Sequence, residues 1–204
     1  MIEVVYQDRY LIVVKKPVGV ISEDGDNSVP SLIREYLKNG DAYIGVIHRL
    51  DKGVGGLILY SLDPSITGKL TEALASADAG KEYLAVLNGT PERDEDILTD
   101  LLYHDRSKNK TYVVKRKRAG VKEARLSYKV LSKDDGRALV SVKLYTGRTH
   151  QIRAQFASRG LSLRGDVRYG GGKGEISLLS YKLSFVHPIT KNKLEFEIEN
   201  TLNF

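Results

Sequence analysis

TYVVKRKRAGVKEARLSYKVLSKDDGRALVSVKL, residues 111–144, reads as three extended segments joined as hairpins. Thr111–Lys115, Ala124–Leu131 and Ala138–Leu144 are rich in β-branched and apolar residues, and Arg118-Ala119-Gly120 lies in the turn between the first two. Working outward, Ile2–Tyr6 and Leu11–Val14 flank Gln7-Asp8-Arg9-Tyr10 as another hairpin. Gly56–Ser61 and Lys81–Leu87 are further strands, the second closed by the turn-forming pair Asn88-Gly89. Leu178–Phe185 and Lys193–Ile198 are the last two. Between them three helices are expected. Ser28 caps one, with Pro30 in its first turn and Gly40 as its stop. Pro64 to about Ala77 forms another, with Ile66, Leu70 and Leu74 on one stripe. Thr149 caps the third, which runs to about Arg159 and ends at Gly160. Strands and helices do not alternate regularly. The pattern therefore predicts an α+β fold with a largely antiparallel sheet flanked by helices and loops around a central cleft. No linker marks a boundary, so residues 1–204 are expected to form one domain.

The chain has 204 residues, enough to bury a substantial core. Cysteine is absent, which excludes disulfides and thiolate metal sites and fits a reducing, cytoplasmic setting. Met1-Ile2-Glu3-Val4-Val5-Tyr6 lacks the features of a signal peptide, and no apolar run approaches a membrane span. The formal net charge of +6 favours a polyanionic partner. Its distribution is more telling. Arg106, Lys108, Lys110, Lys115, Arg116, Lys117, Arg118, Lys122 and Arg125 stand against the single acid Glu123. The stretch is either a solvated hairpin or a rim that tracks phosphates.

Several familiar chemistries fail on spacing. Gly165 and Gly170 are placed as in a P-loop, but Gly171 stands where the lysine must be. Gly53-Val54-Gly55-Gly56 precedes a strand, whereas a dinucleotide fingerprint follows one. His48, His104, His150 and His187 show no metal-ligand spacing, and no Gly-x-Ser-x-Gly elbow occurs. Three polar clusters remain: His48-Arg49-Leu50-Asp51, Lys81-Glu82-Tyr83, and Thr146-Gly147-Arg148-Thr149-His150-Gln151-Ile152-Arg153. A carboxylate, a phenol and a guanidinium on separate elements can converge in a cleft, and His150 and Arg153, three apart, are expected on one helix face. Spacing alone equally allows Asp51 as a turn residue and Arg153 as a surface cation.

Together these segments resemble the RluA-type family of ribosomal and transfer RNA pseudouridine synthases. His48-Arg49-Leu50-Asp51, followed by an apolar strand from Gly56, is similar to the family's aspartate motif. Lys81-Glu82-Tyr83 matches its Lys-x-Tyr segment, and Gly147–Arg153 matches its third motif without a break. Lys16-Pro17-x-Gly19, Gly165-Asp166-Val167-Arg168-Tyr169-Gly170 and His187-Pro188 follow the pattern in order. Three departures stand out. Val54-Gly55 replaces a Thr-Ser pair whose hydroxyls would brace the loop, Leu179-Ser180 stands where relatives carry His-Ala, and a catalytic domain without the small S4-type RNA-binding domain of many relatives is expected.

The resemblance implies an isomerase of structured RNA in which Asp51 is the nucleophile, Arg153 its charge partner, and Tyr83 stacks on the base and takes a proton in the later steps. It implies that Arg49 fills the place of the flipped base or contacts its phosphate, and that Leu178 packs against the uracil. His48, Arg148, His150 and Gln151 complete the substrate-binding set, and Lys115, Arg116, Lys117 and Arg118 are expected on the RNA backbone. The chemistry is redox-neutral, so no metal or organic cofactor is implied. The expected partner is ribosomal or transfer RNA and the expected state a monomer. A catalytically silent RNA-binding protein of the same fold is the rival reading, and a small-molecule hydrolase is another. Retention of Asp51, Tyr83 and Arg153 together speaks against the first, and the basic hairpin against the second.

Overall fold

Asp8 sets the first turn of the chain. Its carboxylate accepts the backbone N–H groups of Tyr10 and Leu11 at 2.7 and 2.9 Å, closing the hairpin between β1 (Glu3–Gln7) and β2 (Leu11–Lys16). The computed structural model describes residues 1–202. Ser28 caps α1 (Val29–Leu37) through a reciprocal box with Ser31. The helix stops at Lys38 and not at Gly40, because Lys38 itself takes the left-handed cap at φ 52°. β3 (Gly45–Val46) and β4 (Gly55–Ser61) follow, then a short 3₁₀ turn at Pro64–Ile66 leading into α2 (Thr67–Ala75). β5 spans Gly80–Leu87, β6 Glu95–Asp105, β7 Lys110–Val114, β8 Val121–Asp134 and β9 Arg137–Leu144. α3 (Gln151–Ala157), β10 (Leu178–Val186) and β11 (Lys193–Glu197) complete the order. No helix among the described residues is long and apolar enough to cross a membrane.

Among the described residues the chain divides into two compact units, the first formed by Met1–Lys81 with Ser180–Glu199, the second by Glu82–Leu179 with residues 200–202. In the first unit the strands run in the order β1-β2-β4-β10-β11. β2 pairs antiparallel with both β1 and β4, and β10 with β11. Leu11, Val13, Leu57, Leu59, Leu183 and Phe185 form the core of one sheet face, closed by Ile66, Leu70 and Leu74 around α2. Gly56 is required here. It adopts φ 110°, and a Cβ on it would collide with the carbonyl of Ser180.

In the second unit the order is β5-β9-β8-β6-β7, and each neighbouring pair is antiparallel. Ala124, Leu126, Tyr128, Val140 and Val142 face inward from β8 and β9 and are buried. Phe156 of α3 meets the Tyr128 ring edge-on at 5.4 Å, so α3 covers this face. The antiparallel pairings and the few helices bear out the α+β expectation. β6 is the element the sequence conceals. Asp96 and Asp100 break its apolar alternation, and Asp100 is tied up by the Arg159 guanidinium at 2.9 Å.

Candidate active site

In the first unit, Asp51 sits in the loop before β4, half-buried, with its own carbonyl accepting the Val54 N–H at 2.9 Å. That bond closes a turn through Lys52 and Gly53. Lys16, at the end of β2, lies beneath it and is only 1% exposed. Its ammonium donates to the carbonyls of Pro17 at 3.0 Å, Lys52 at 3.2 Å and Val54 at 2.7 Å. Gly19 ties the same loop by donating to Lys52 at 2.8 Å. Burial lowers the pKa of Lys16 to about 8, and the negative charge of Asp51 acts in the opposite direction. The loop is therefore braced through main-chain carbonyls. The missing hydroxyls at Val54 and Gly55 are replaced by a contact that does not depend on side-chain identity at those positions. The serine at position 180 is also accounted for, since its hydroxyl donates to the Leu57 carbonyl at 3.0 Å.

His48 faces away from solvent chemistry. Its Nε2 accepts the Leu59 N–H at 3.1 Å, so that nitrogen carries no proton. Burial pushes its pKa down to about 3, and the nearby Lys81 ammonium adds to the shift. Lys81 is itself lowered by burial. Arg49, by contrast, is exposed and meets the Glu23 carboxylate at 2.9 Å.

In the second unit the Gly147–Arg153 segment has a different start from the expected one. Thr149 is not the cap. His150 occupies that position in the left-handed conformation at φ 53°, and the helix opens at Gln151. His150 thus precedes the helix and does not share a helical face with Arg153. Gln151 braces the approach: its Oε1 accepts the Arg148 N–H at 3.0 Å and the Thr146 hydroxyl at 2.8 Å, and its Nε2 donates to the Arg125 carbonyl at 3.1 Å. Arg148 donates to the Glu123 carbonyl at 2.9 Å.

Arg153 is 9% exposed and forks onto Asp166, Nε to Oδ2 at 2.7 Å and Nη2 to Oδ1 at 2.8 Å. Asp166 is buried as well. The guanidinium also lies over the Tyr169 ring, 5.0 Å from its centre. The Tyr169 hydroxyl receives the Thr111 N–H at 2.7 Å, donates to the Thr111 carbonyl at 3.1 Å, and stands 3.1 Å from His150 Nδ1. With the phenol proton on Thr111, His150 Nδ1 is placed as a donor. Burial raises the Tyr169 pKa. Asp166 and Tyr169 match a motif in the sequence, but nothing there gives them a role. The signal lies in the glycines: a Cβ at Gly165 or Gly171 would strike backbone, so the loop packs closely enough to bury a carboxylate. Tyr83 and Leu178 are both buried, each 6% exposed. Tyr83 lies opposite Val142, on the inward face of β5. Lys115, Arg116, Lys117 and Arg118 form an exposed turn between β7 and β8, and Arg118 lies 4.8 Å over the Tyr103 ring.

These two arrangements can be set beside known proteins. A family model described as RNA pseudouridylate synthase matches residues 10–158. Ribosomal large subunit pseudouridine synthase D of Zymomonas mobilis is 28% identical over 221 residues, which cover 97% of this chain and 69% of that protein. An uncharacterized RNA pseudouridine synthase of the same species is 31% identical over 176 residues, covering 84% of this chain and 80% of that one. Among solved structures, human RNA pseudouridylate synthase domain containing 4 superposes with a TM-score of 0.80 at 20% identity, over 97% of this chain and 88% of that one, which is a likeness of fold. The chain belongs to the RNA pseudouridylate synthase family, whose members are RNA isomerases.

Proposed function

We propose that this chain converts uridines of structured ribosomal or transfer RNA to pseudouridine, with Asp51 as the nucleophile, as one catalytic domain acting as a cytoplasmic monomer. The observation that carries the reading is the Asp51 turn, held by Lys16 through the Lys52 and Val54 carbonyls inside the segment that the family model matches. A nucleophile must be presented in one geometry, and a loop fixed by a buried lysine meets that demand.

The reaction breaks the bond between uracil N1 and the ribose and forms one from C5 to the same carbon. The proton lost from C5 is matched by one gained at N1. Asp51 attacks the nucleotide, and Arg153, anchored on Asp166, supplies positive charge for the reaction. Tyr83 stacks on the uracil and accepts the C5 proton. Its phenol needs activation for this, since an unperturbed tyrosine titrates near ~10. Leu178 forms an apolar wall for the base, and Arg49 takes the vacated place in the RNA or its phosphate. Base extraction costs a few kcal/mol, which RNA contacts by Arg148, His150 and the Lys115–Arg118 turn offset, while His48 holds the strand after the Asp51 loop through the Leu59 N–H. Gln151 acts by holding Arg148.

Tritium release from RNA labelled at uracil C5 tests the reading. Wild-type protein releases tritium, and Asp51→Asn lowers the rate by at least ~10³-fold while RNA binding persists, because the amide is no anionic nucleophile. Turnover of Asp51→Asn within tenfold of wild type removes Asp51 from that role. RNA binding without any release by the wild type returns the chain to a silent binding protein.

A further inference from the structure

The sheet of the second unit has two unlike faces. α3 covers one. On the other, β8 turns Arg125, Ser127 and Lys129 outward, and β9 turns Ser141 and Lys143 outward, with Ser127 opposite Lys143 and Lys129 opposite Ser141. β6 adds Ile97 opposite Ser127, and Ile97 is 50% exposed. A shallow depression of about 440 Å³ runs across Ile97, Ser127, Lys129, Ser141 and Lys143. Tyr145 stands just past the end of β9, 47% exposed, although it is large and aromatic. Its ring has three polar neighbours. The Arg125 guanidinium lies 4.9 Å and the Lys143 ammonium 5.9 Å from its centre, and its hydroxyl is 3.2 Å from that of Ser127.

An exposed ring flanked by two cations serves no core. It has the composition of a platform for an unpaired base, where a nucleobase stacks on an aromatic or guanidinium plane and flanking cations meet the phosphates. Around the depression Lys129 and Lys143 balance Glu95 and Asp96, and the cation that favours a polyanion is Arg125, placed with Lys143 at the Tyr145 ring. The same face reaches Tyr103 under Arg118, which joins it to the basic turn at 115–118.

We propose that this open sheet face binds single-stranded RNA, with Tyr145 stacking on one unpaired base and Arg125 and Lys143 contacting its phosphates. The surface rests on the reading of the chain as an RNA enzyme, but it adds a contact outside the proposed catalytic residues and makes unpaired nucleotides part of what is recognised.

Fluorescence anisotropy of the full chain with labelled dodecauridylate tests this, with a twelve-base-pair RNA duplex as the comparison. The wild type binds the single strand more tightly than the duplex. Tyr145→Leu weakens single-strand binding by about tenfold, Tyr145→Phe stays within about twofold, and Arg125→Ala weakens binding while flattening its salt dependence. Equal affinities of the Tyr145→Leu and wild-type proteins, absence of single-strand binding by the wild type, or an equal Tyr145-dependent loss on the duplex each overturn the proposal. Tritium release, measured on the same proteins, separates it from the catalytic reading. A wild type that binds through Tyr145 yet never releases tritium keeps this surface and loses the enzyme, and the reverse pattern does the opposite.

Discussion

The loop that carries Asp51 and the segment that carries Arg153 are equally prominent as polar clusters, but they are built on opposite principles. The Asp51 loop is held from below by one buried cation that reaches three main-chain carbonyls. The Arg153 segment is held by several side chains: Gln151 with Thr146 and with the Arg148 and Arg125 main chain, Arg153 with Asp166, His150 with Tyr169. A backbone brace tolerates changes in the loop's own residues, which is how Val54 and Gly55 can stand where hydroxyls are usual. A side-chain network tolerates little, because each partner must be the residue that its neighbour bonds.

The largest effect is expected where the side-chain network holds a buried charge. Arg153→Ala leaves the Asp166 carboxylate buried without its fork, which costs roughly 3–5 kcal/mol. Adding Asp166→Asn to that variant recovers a large part of the loss, and Arg153→Lys rescues poorly because lysine has no planar fork. Thermal and urea melts of the four proteins of the cycle measure the coupling. Additive losses would mean that the fork contributes nothing specific. Asp51→Ala, in contrast, leaves Arg153 still compensated by Asp166, so its stability cost is expected to be much smaller than its loss of turnover.

A comparable change in the backbone brace is next. Lys16→Met keeps the length of the buried stem and removes the three donors. Unpaired buried carbonyls cost about 1–3 kcal/mol each before water repairs some of them, so a net loss of about 2–3 kcal/mol is expected. Turnover falls more than RNA affinity does, because the loop loses its geometry and not its charge toward RNA. If Lys16→Met melts like the wild type, the brace is not what fixes the loop.

These two cases also mark what the sequence discloses. The hairpins around 111–144, the helix capped at Ser28 and the Asp51 loop are legible because local turn chemistry and alternation decide them. β6 is not, since Asp96 and Asp100 disguise its inner face, and the partner that explains Asp100 is far along the chain, at Arg159. The left-handed His150 is not legible either. Thr149 is the better cap by propensity, but its carbonyl accepts from the Thr111 hydroxyl at 2.8 Å, and this tertiary bond accompanies the shifted start. Lys16 is visible as a motif residue, but a lysine after an apolar strand gives no sign that it turns inward.

The basic turn offers a smaller effect on the fold and a clear one on binding. Neutralising Lys115, Arg116, Lys117 and Arg118 together is expected to shift stability by no more than about 0.5 kcal/mol, as for exposed positions generally. RNA affinity falls, and the slope of log K against log salt decreases by about 0.7–0.9 for each phosphate that the turn no longer neutralises. Anisotropy titrations between low and moderate salt read it, and an unchanged slope makes the turn a solvated hairpin.

A graded effect distinguishes the two braces by pH alone. Lys16 titrates near 8 in the folded protein against 10.5 for an ordinary lysine. Between these values the unfolded chain binds a proton at this site that the folded chain does not. Stability from this group therefore rises as pH increases from about 8 to about 10.5, by at most about 1.4 kcal/mol per pH unit. Below about 8 both states are protonated and the cost of burying the charge is present in full. The difference in unfolding free energy between wild type and Lys16→Met, followed from pH 7 to 10, isolates the effect because groups common to both proteins cancel. It should change in favour of the wild type as pH rises, provided that neutral Lys16 keeps enough of its donors on the Lys52 and Val54 carbonyls. A wild type that loses ground to Lys16→Met above pH 8 would show that the loop needs the charge of Lys16 and not only its hydrogen bonds.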